Sequence, residues 1–445
     1  MGLRNKRGEA ENRISVEMGF RIKFMNNLMP EFLKLVPPSE ALALLLRSLP
    51  DQVPVEESVD VLHATGRITA QEVRAPHALP SFPRSSVDGY AVHASDTFGV
   101  SDSIPGYLTI AGEVPMGTKP EFSIETGQAA LIHTGGMLPQ NADAVVMLEQ
   151  TEIFRSGEIS ILRAVAPGEN MILVGEDVQE GQVVIPCGFK VRPVEVGGCM
   201  ALGITQLRVA KEPKIGIISS GDEVIPPEQE PGPGQVRDVN SHSLSALVTE
   251  AGGEPVLYGI VQDKLEVMKD IATKALSECQ AVIITAGSSA SARDMTAETI
   301  ASLGAPGVLV HGVNIRPGKP TILAVCDGKA VIGLPGNPVS AMVVAGLFVV
   351  PSIRRLLGVK VEPPSKSCLA RLTINIPSQA GREDWIAVKL IPSADRSDEL
   401  EDWLADPIFA KSNLIFSLAA ADGLVRIPAD VTGLEAGKQV QVHLF

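Results

Sequence analysis

Residues 315–320 read IRPGKP, a loop in which Arg316 and Lys319 bracket a proline and a glycine. Proline stiffens such a loop and glycine lets a ligand approach its backbone. Two cations held this way suit a small oxyanion, although long basic side chains are also commonly just solvated. A second anion-binding pattern follows. Residues 330–334 form an apolar run fit for a buried strand, and Pro335, Gly336, Asn337 and Pro338 after it are turn and helix-start residues. Asn337 is placed to cap and Pro338 to take the first helical position, where its missing N–H costs nothing. Strand, turn and helix N-terminus together present backbone N–H groups at the positive end of a dipole, which suits phosphate.

The elements that must position these loops come from the texture around them. From Lys214 the chain alternates: KIGIISS reads as a strand, SLSALVTEAG as a helix ending near Gly252, PVLYGIV as a strand, KLEVMKDIATKAL as a helix capped by Asp263, and AVIITAG as a strand. This βαβ rhythm predicts a parallel sheet with helices on both faces, and ligands bind such sheets at the carboxyl ends of the strands. The loops at those ends are SSGDEV (219–224), DVNS (238–241), TAGSSASARD (285–294) and PGNP. Their small residues, hydroxyls and carboxylates suit a phosphorylated ligand held with a divalent ion by Asp222 and Asp238. No GxGxxG and no GxxxxGK[ST] occurs, so neither a dinucleotide fold nor a P-loop is indicated.

At 445 residues, with 45% hydrophobic and 20% charged, the chain is ordinary for a globular protein of about two to four domains. Its net charge of −14 argues against nucleic acid as a partner, so an anionic ligand needs a local basic pocket. Five scattered cysteines without a CxxC suggest neither a disulfide framework nor a zinc site and fit a reducing cytoplasm. The seven histidines form no HExxH and read as structural. The apolar run over 339–350 reads as a buried helix too short to cross a bilayer, so no membrane partner is expected. Residues 1–24 are basic but lack a signal-peptide core and read as a disordered tail.

Elsewhere ALALLLRSL is helical with Ser39 as its N-cap. Over 53–152, prolines and glycines cut β-branched runs into a β-rich domain. Two polar clusters stand out there: LPSFPRSSVDGYAV, carrying Asp88, and HTGGMLPQNADAVVMLE, whose flexible Thr134-Gly135-Gly136 precedes Asp143. Asp-Gly alone is commonly just a turn. In GENMILVGEDVQEGQVV, Glu176 and Asp177 either bind a cation or stay solvated. After Gly358 short runs such as LTINI, IAVKLI, GLVRI and VQVHL predict a small β-barrel or sandwich, with Arg382 and the KSNLIFS run as its conspicuous polar features.

The motifs LPSFPRSSVDGYAV, HTGGMLPQNADAVVMLE, GENMILVGED, IISSGDEV, RDVNS, IRPGKP and GLPGNPVSAM, in this order, closely resemble the MoeA family of molybdenum insertases, which includes the gephyrin E domain. The resemblance runs from about residue 25 to the C-terminus. It implies a multidomain α/β and β architecture: a linking domain (25–52 and 167–205), a β-rich domain (53–166), a MoaB/MogA-like α/β molybdopterin-binding domain (206–358) and a C-terminal β-barrel (359–445). The implied reaction is molybdopterin molybdenumtransfer. Adenylylated molybdopterin and molybdate give molybdenum cofactor and AMP in a Mg2+-dependent step. The active site of a homodimer lies between the α/β subdomain of one chain and parts of the other.

Residue by residue, Arg316, Lys319 and Pro320 match the family's KPGKP loop at the molybdate pocket, Arg382 its C-terminal arginine, and Ser412 or Asn413 a nearby serine. Asp88, Asp143, Glu176, Asp222 and Asp238 match acidic positions linked to activity, and Ser289 and Asp294 match the SGGVSxGxxD loop. Gly336, Asn337 and Pro338 join the substrate-binding set through the turn described above. Here the SGGVSxGxxD loop reads TAGSSASARD, with Ala286, Ser288 and Ser291 in place of glycine, valine and glycine, and the first lysine of KPGKP is Arg316. Those departures leave tungstate open as substrate. A non-catalytic molybdopterin-binding scaffold is the alternative from another class; adenylyl transfer to molybdopterin is a third, which the flanking domains argue against.

Overall fold

The computed structural model describes residues 35–286, 290–361, 366–393 and 403–445. The tail expected over 1–24 and Ser289 lie outside them. The chain divides into two compact units, one built on Pro54–Lys211 and the other on Glu212–Leu357 with the described residues before Val53 and the C-terminal region.

In the unit built on Pro54–Lys211, a six-stranded sheet runs in the order Ala144–Met147, Gly89–Val92, Gln128–Ile132, Gly106–Val114, Glu158–Ile161, Thr151–Arg155. Both its faces are apolar. Tyr90, Val92 and Val146 enter one core and Ala91, Ala130 and Val145 the other, as the two-residue side-chain period requires. Gly89 is obligatory on its strand because a Cβ there would lie 2.0 Å from the Val146 carbonyl oxygen. A separate core of Val61, Ile185, Val191, Cys199, Leu207 and Val209 forms under the Pro193–Ala201 helix and the antiparallel pair Glu56–Asp60 and Gln206–Ala210.

The second unit carries the predicted βαβ layers. Its sheet order is Glu254–Val261, Lys214–Ser220, Ala281–Ala286, Lys329–Pro335, Ile322–Cys326, Pro306–His311. The first four strands are parallel; Ile322–Cys326 alone runs against them, pairing antiparallel with both of its neighbours, so the sheet is mixed rather than purely parallel. The cause is local: Asp327 (φ 49°) and Gly328 (φ 80°) form a two-residue hairpin that turns Ile322–Cys326 directly into Lys329–Pro335. Leu265–Glu278 and Ala290–Ala301 pack together on one face, over Ile218, Val282 and Ile284. On the other face Asn240–Glu250 packs against Pro338–Leu356.

Three local expectations are corrected. The helix Pro38–Ser48 starts at Pro38, not after Ser39; Pro37 is its N-cap, its carbonyl accepting the Ala41 N–H, since consecutive prolines are pre-set for a first turn. Asp263 does not cap Leu265–Glu278, whose N-cap is Lys264. The 19-residue helix Pro338–Leu356 is long and apolar enough to span a bilayer by length and composition, against the expectation. It is nonetheless a core helix, with Ala341, Val344, Phe348 and Ile353 buried. The five cysteines are free thiols, and burial pushes the Cys326 thiol up to about 11.

The C-terminal strands close into a five-stranded barrel, Glu383–Pro392, Trp403–Pro407, Ser367–Leu372, Gln439–Leu444 and Gly423–Ile427, the last pairing back to the first. Inside lie Ala370, Leu372, Val388, Ala405, Val425 and Val442. Its Glu383–Pro392 strand also takes the short strand Ile315–Arg316 in parallel, with Arg316 opposite Asp384. That pairing fastens the basic loop to the barrel.

Candidate functional site

The IRPGKP loop is held from three sides. Ile315 is buried, and the Glu383 N–H donates to the Asn314 carbonyl at 3.2 Å. Asn314 Nδ2 donates to the Gly381 carbonyl. Gly318, at φ +117°, lies against the Pro338–Leu356 helix, and its carbonyl accepts the Thr321 hydroxyl at 2.6 Å. Fixed in this way, the loop exposes Arg316 and Lys319 to solvent. The Lys319 carbonyl accepts the Val313 N–H at 3.0 Å, but its ammonium has no hydrogen-bond or ion-pair partner among the described residues and is free for an anion.

Beside the loop, Arg382 is half-buried and engages the buried Asp384 with both arms of its fork, Nε to Oδ1 at 2.7 Å and Nη2 to Oδ2 at 3.0 Å. Its neighbour Glu383, also buried, accepts from Trp385 Nε1 at 2.8 Å and from Arg426 Nε at 2.8 Å. Each buried carboxylate is thus paired with its own arginine, the condition under which buried charge is tolerated.

The PGNP turn differs from expectation in detail. Asn337 is the N-cap residue and Pro338 the first helical residue, but the Asn337 amide does not cap. It reaches into the C-terminal region, donating to Ser412 Oγ at 3.0 Å, while the Ser412 carbonyl accepts the Val339 N–H at 3.1 Å. Ser412, rather than the exposed Asn413, is therefore the serine brought to the turn. The Gly336 carbonyl accepts Asn240 Nδ2 at 2.8 Å, and Asn240 Oδ1 is buried with no partner, an acceptor left over for a ligand.

At the other strand ends, Asp238 is buried and accepts the Ser241 N–H at 3.1 Å and its hydroxyl at 2.5 Å, so it serves the first turn of Asn240–Glu250. Asp222 is exposed and accepts the Asp263 N–H at 3.2 Å. Desolvation, then the charges of Asp222 and Glu223, push the Asp263 carboxyl above its ordinary value. Asp263 Oδ1 is buried and unpartnered. Among the described residues no group of three His, Cys, Asp or Glu could by itself hold a metal. Asp294 is exposed on its helix.

Asp88, Asp143 and Glu176 belong to the unit built on Pro54–Lys211, and each holds a loop. Asp88 accepts the Thr134 N–H at 2.8 Å, the main reason its carboxyl titrates below the usual range, with His133 3.6 Å away. Asp143 accepts the Ala94 N–H at 2.6 Å and Glu176 that of Leu173 at 2.7 Å.

Three family models cover most of the chain: "MoeA N-terminal region (domain I and II)" over residues 36–203, "Probable molybdopterin binding domain" over 216–355, and "MoeA C-terminal region (domain IV)" over 369–445. A Methanocaldococcus jannaschii protein, named only provisionally for molybdopterin biosynthesis, is 36% identical over 95% of this chain and 100% of its own length. The chain belongs to the MoeA family. The molybdopterin molybdenumtransferase of a Nostoc species is 33% identical over 87% of this chain and 88% of its own. A crystal structure of a molybdopterin biosynthesis MoeA protein from Pyrococcus horikoshii matches at a TM-score of 0.80 and 34% identity, covering 93% of this chain and all of that one.

The sequence did not point to Asp384, gave Asn240 only as part of the DVNS loop, and gave Asp263 only as a cap. For Asp384 only nearness in sequence hinted at it, since Arg382 lies in the bend before the Glu383–Pro392 strand, where no strand period announces the pairing.

Proposed function

We propose that this MoeA-family chain is a molybdopterin molybdenumtransferase, inserting molybdate into adenylylated molybdopterin with release of AMP. The observation that carries it is the loop Arg316-Pro317-Gly318-Lys319, pinned by barrel and helix so that an unpaired ammonium and an exposed guanidinium stand beside Arg382. A tetrahedral dianion needs several N–H donors converging from a rigid frame, and charge-assisted hydrogen bonds are the strong ones. Lys319 supplies a mobile point charge; Arg316 and Arg382 supply planar donor edges. Pro320 and Ser412 border this oxyanion subsite.

The pterin adenylate is assigned to the strand ends, where Gly336, Asn337, Pro338, Asn240 and Asp294 offer backbone and side-chain polar groups. The donors there fit one hard divalent cation held in part by the ligand's own phosphates. Asp222 is exposed and stands with Glu223 near the half-buried Asp263, whose carboxyl is raised by desolvation first and by their charges second, whereas both Asp238 oxygens already accept from Ser241. Mg2+ commonly takes one or two carboxylates, water and substrate phosphates, and bound at Asp222 it would polarise the phosphoanhydride. Asp88, Asp143 and Glu176, acidic positions linked to activity by the resemblance, are proposed to shape loops of their own unit, and the chain to act as a homodimer of the kind the resemblance implies, in the reducing cytoplasm its cysteines fit.

The test is AMP release from adenylylated molybdopterin by the purified chain, with and without molybdate and without ATP. Release dependent on molybdate supports insertion. Tight pterin binding without release identifies a scaffold, and release driven only by tungstate identifies the alternative metal.

A further inference from the structure

Two guanidiniums converge on a single buried carboxylate at the edge of the basic loop. Asp384 is fully buried, and besides Arg382 its Oδ2 accepts the Ser378 hydroxyl at 3.0 Å. Arg316 Nη1 lies 3.8 Å from that same Oδ2, beyond hydrogen-bond length but within ion-pair range. Arg316 and Asp384 face each other in the parallel register of Ile315–Arg316 and Glu383–Pro392. Arg382 spends its Nε and Nη2 edge on the carboxylate, which leaves Nη1 and part of Nη2 as donors. Two like charges gathered around one oxygen would repel each other without the carboxylate between them.

We propose that Asp384 is the positioning residue of the oxyanion subsite, locking Arg382 by its fork and drawing the exposed Arg316 alongside so that the pair presents one continuous row of N–H donors to a tetrahedral dianion. This rests on the assignment of molybdate to the IRPGKP loop. It explains why a buried negative charge stands where an anion is to bind. Coulomb's law alone makes such a charge a hindrance, since it repels the ligand. The sign of the effect on neutralising it therefore separates the two roles. A carboxylate that merely adds charge weakens anion binding, and its loss tightens it. A carboxylate that positions two guanidiniums strengthens anion binding, and its loss weakens it although the net positive charge rises.

The experiment uses the full chain with Asp384→Asn, which keeps the size and an acceptor but removes the charge. Three quantities are read: the molybdate dependence of AMP release, the affinity for molybdopterin, and molybdate binding alone by calorimetry. Asp384→Asn is expected to raise the half-saturating molybdate concentration by about tenfold or more, the weight of one charge-assisted hydrogen bond. Rate at saturating molybdate and pterin affinity stay within about twofold, the reproducibility of a site left otherwise intact. Arg382→Ala added to Asp384→Asn costs less than the product of the two single effects, because the second change removes a donor the first has already unlocked. Tighter or unchanged molybdate binding in the folded variant overturns the proposal, as does a double variant whose effects multiply.

If Asp384→Asn does not fold, Ser378→Ala removes one hydrogen bond from Oδ2 and leaves the charge. It is expected to shift the molybdate dependence in the same direction by a smaller factor, and no shift overturns the proposal. A wild-type chain that binds molybdate but releases no AMP defeats the insertion activity and leaves Asp384 testable by calorimetry alone.

Discussion

Replacing Gly318 by alanine perturbs the basic loop without touching a charge. A Cβ built there would stand 2.3 Å from Val344 Cγ2 and 3.4 Å from Ile315 Cγ2, and the residue holds φ +117°, which side chains rarely adopt. Val344 is fully buried in the Pro338–Leu356 helix and has little room to retreat. Backbone strain of this kind costs about 1–3 kcal/mol and overpacking a further ~1–3 kcal/mol, so the loop must either destabilise its unit by about 2–6 kcal/mol or lift off the helix. Lifting carries Arg316 and Lys319 away from Arg382. Gly318→Ala should therefore lower the melting temperature and raise the molybdate concentration needed for AMP release, while pterin affinity holds. Adding Val344→Ala removes the colliding methyl and should recover part of the molybdate dependence, without restoring full stability, since the φ strain remains and a cavity is added. A Gly318→Ala chain with wild-type melting and wild-type molybdate dependence would refute the packing argument.

The acidic cluster gives two more expectations. Asp263 titrates above its ordinary value in the folded chain, so the stability linked to it is full below the ordinary aspartate pKa of about 4 and is lost as pH rises toward the folded-state value; Asp263→Asn should melt above wild type at pH 7 in magnesium-free buffer and level with it at pH 4, and equal melting at both pH values would sink the assignment. Asp222→Asn keeps the acceptor for the Asp263 N–H and relieves its charge, so it should not lower melting, but it should raise the magnesium concentration needed for half-maximal AMP release by at least about tenfold, the usual scale for losing a metal-site group; an unaltered magnesium requirement places Asp222 among turn residues only.

The layers of the second unit were legible because hydrophobic runs such as KIGIISS and AVIITAG carry their own strand signal and the intervening periodic segments their helix signal. The reversed strand Ile322–Cys326 was not read from them, although Asp327-Gly328 is a hairpin dipeptide between two apolar runs. The strand runs by themselves do not separate barrel from sandwich, because pairing of Gly423–Ile427 back to Glu383–Pro392 is non-local and leaves no spacing in the chain; the family resemblance pointed to the barrel that forms. The cations Arg316 and Lys319 were visible as residue types on a stiff loop. What their neighbours do was not: the Asn337 amide bonds Ser412 across a long sequence gap, and Asp263 is raised by Asp222 and Glu223 rather than capping the helix beside it. Propensity names a cap candidate, and tertiary contacts decide whether it caps.

The claim at the centre of this account is that the IRPGKP loop takes the oxyanion while the strand ends take the pterin. Lys319→Ala tests it most directly, because Lys319 is exposed and its ammonium pairs with no described residue, so its loss disturbs nothing else. A charge-assisted hydrogen bond from a solvent-facing lysine is worth about 1.5 kcal/mol, the low end for such bonds, which corresponds to about tenfold. Molybdate dependence of AMP release and affinity for molybdopterin are measured side by side in Lys319→Ala and wild type. The account predicts that half-saturation by molybdate rises about tenfold while pterin affinity is unchanged; a fall in pterin affinity with molybdate dependence untouched would contradict it.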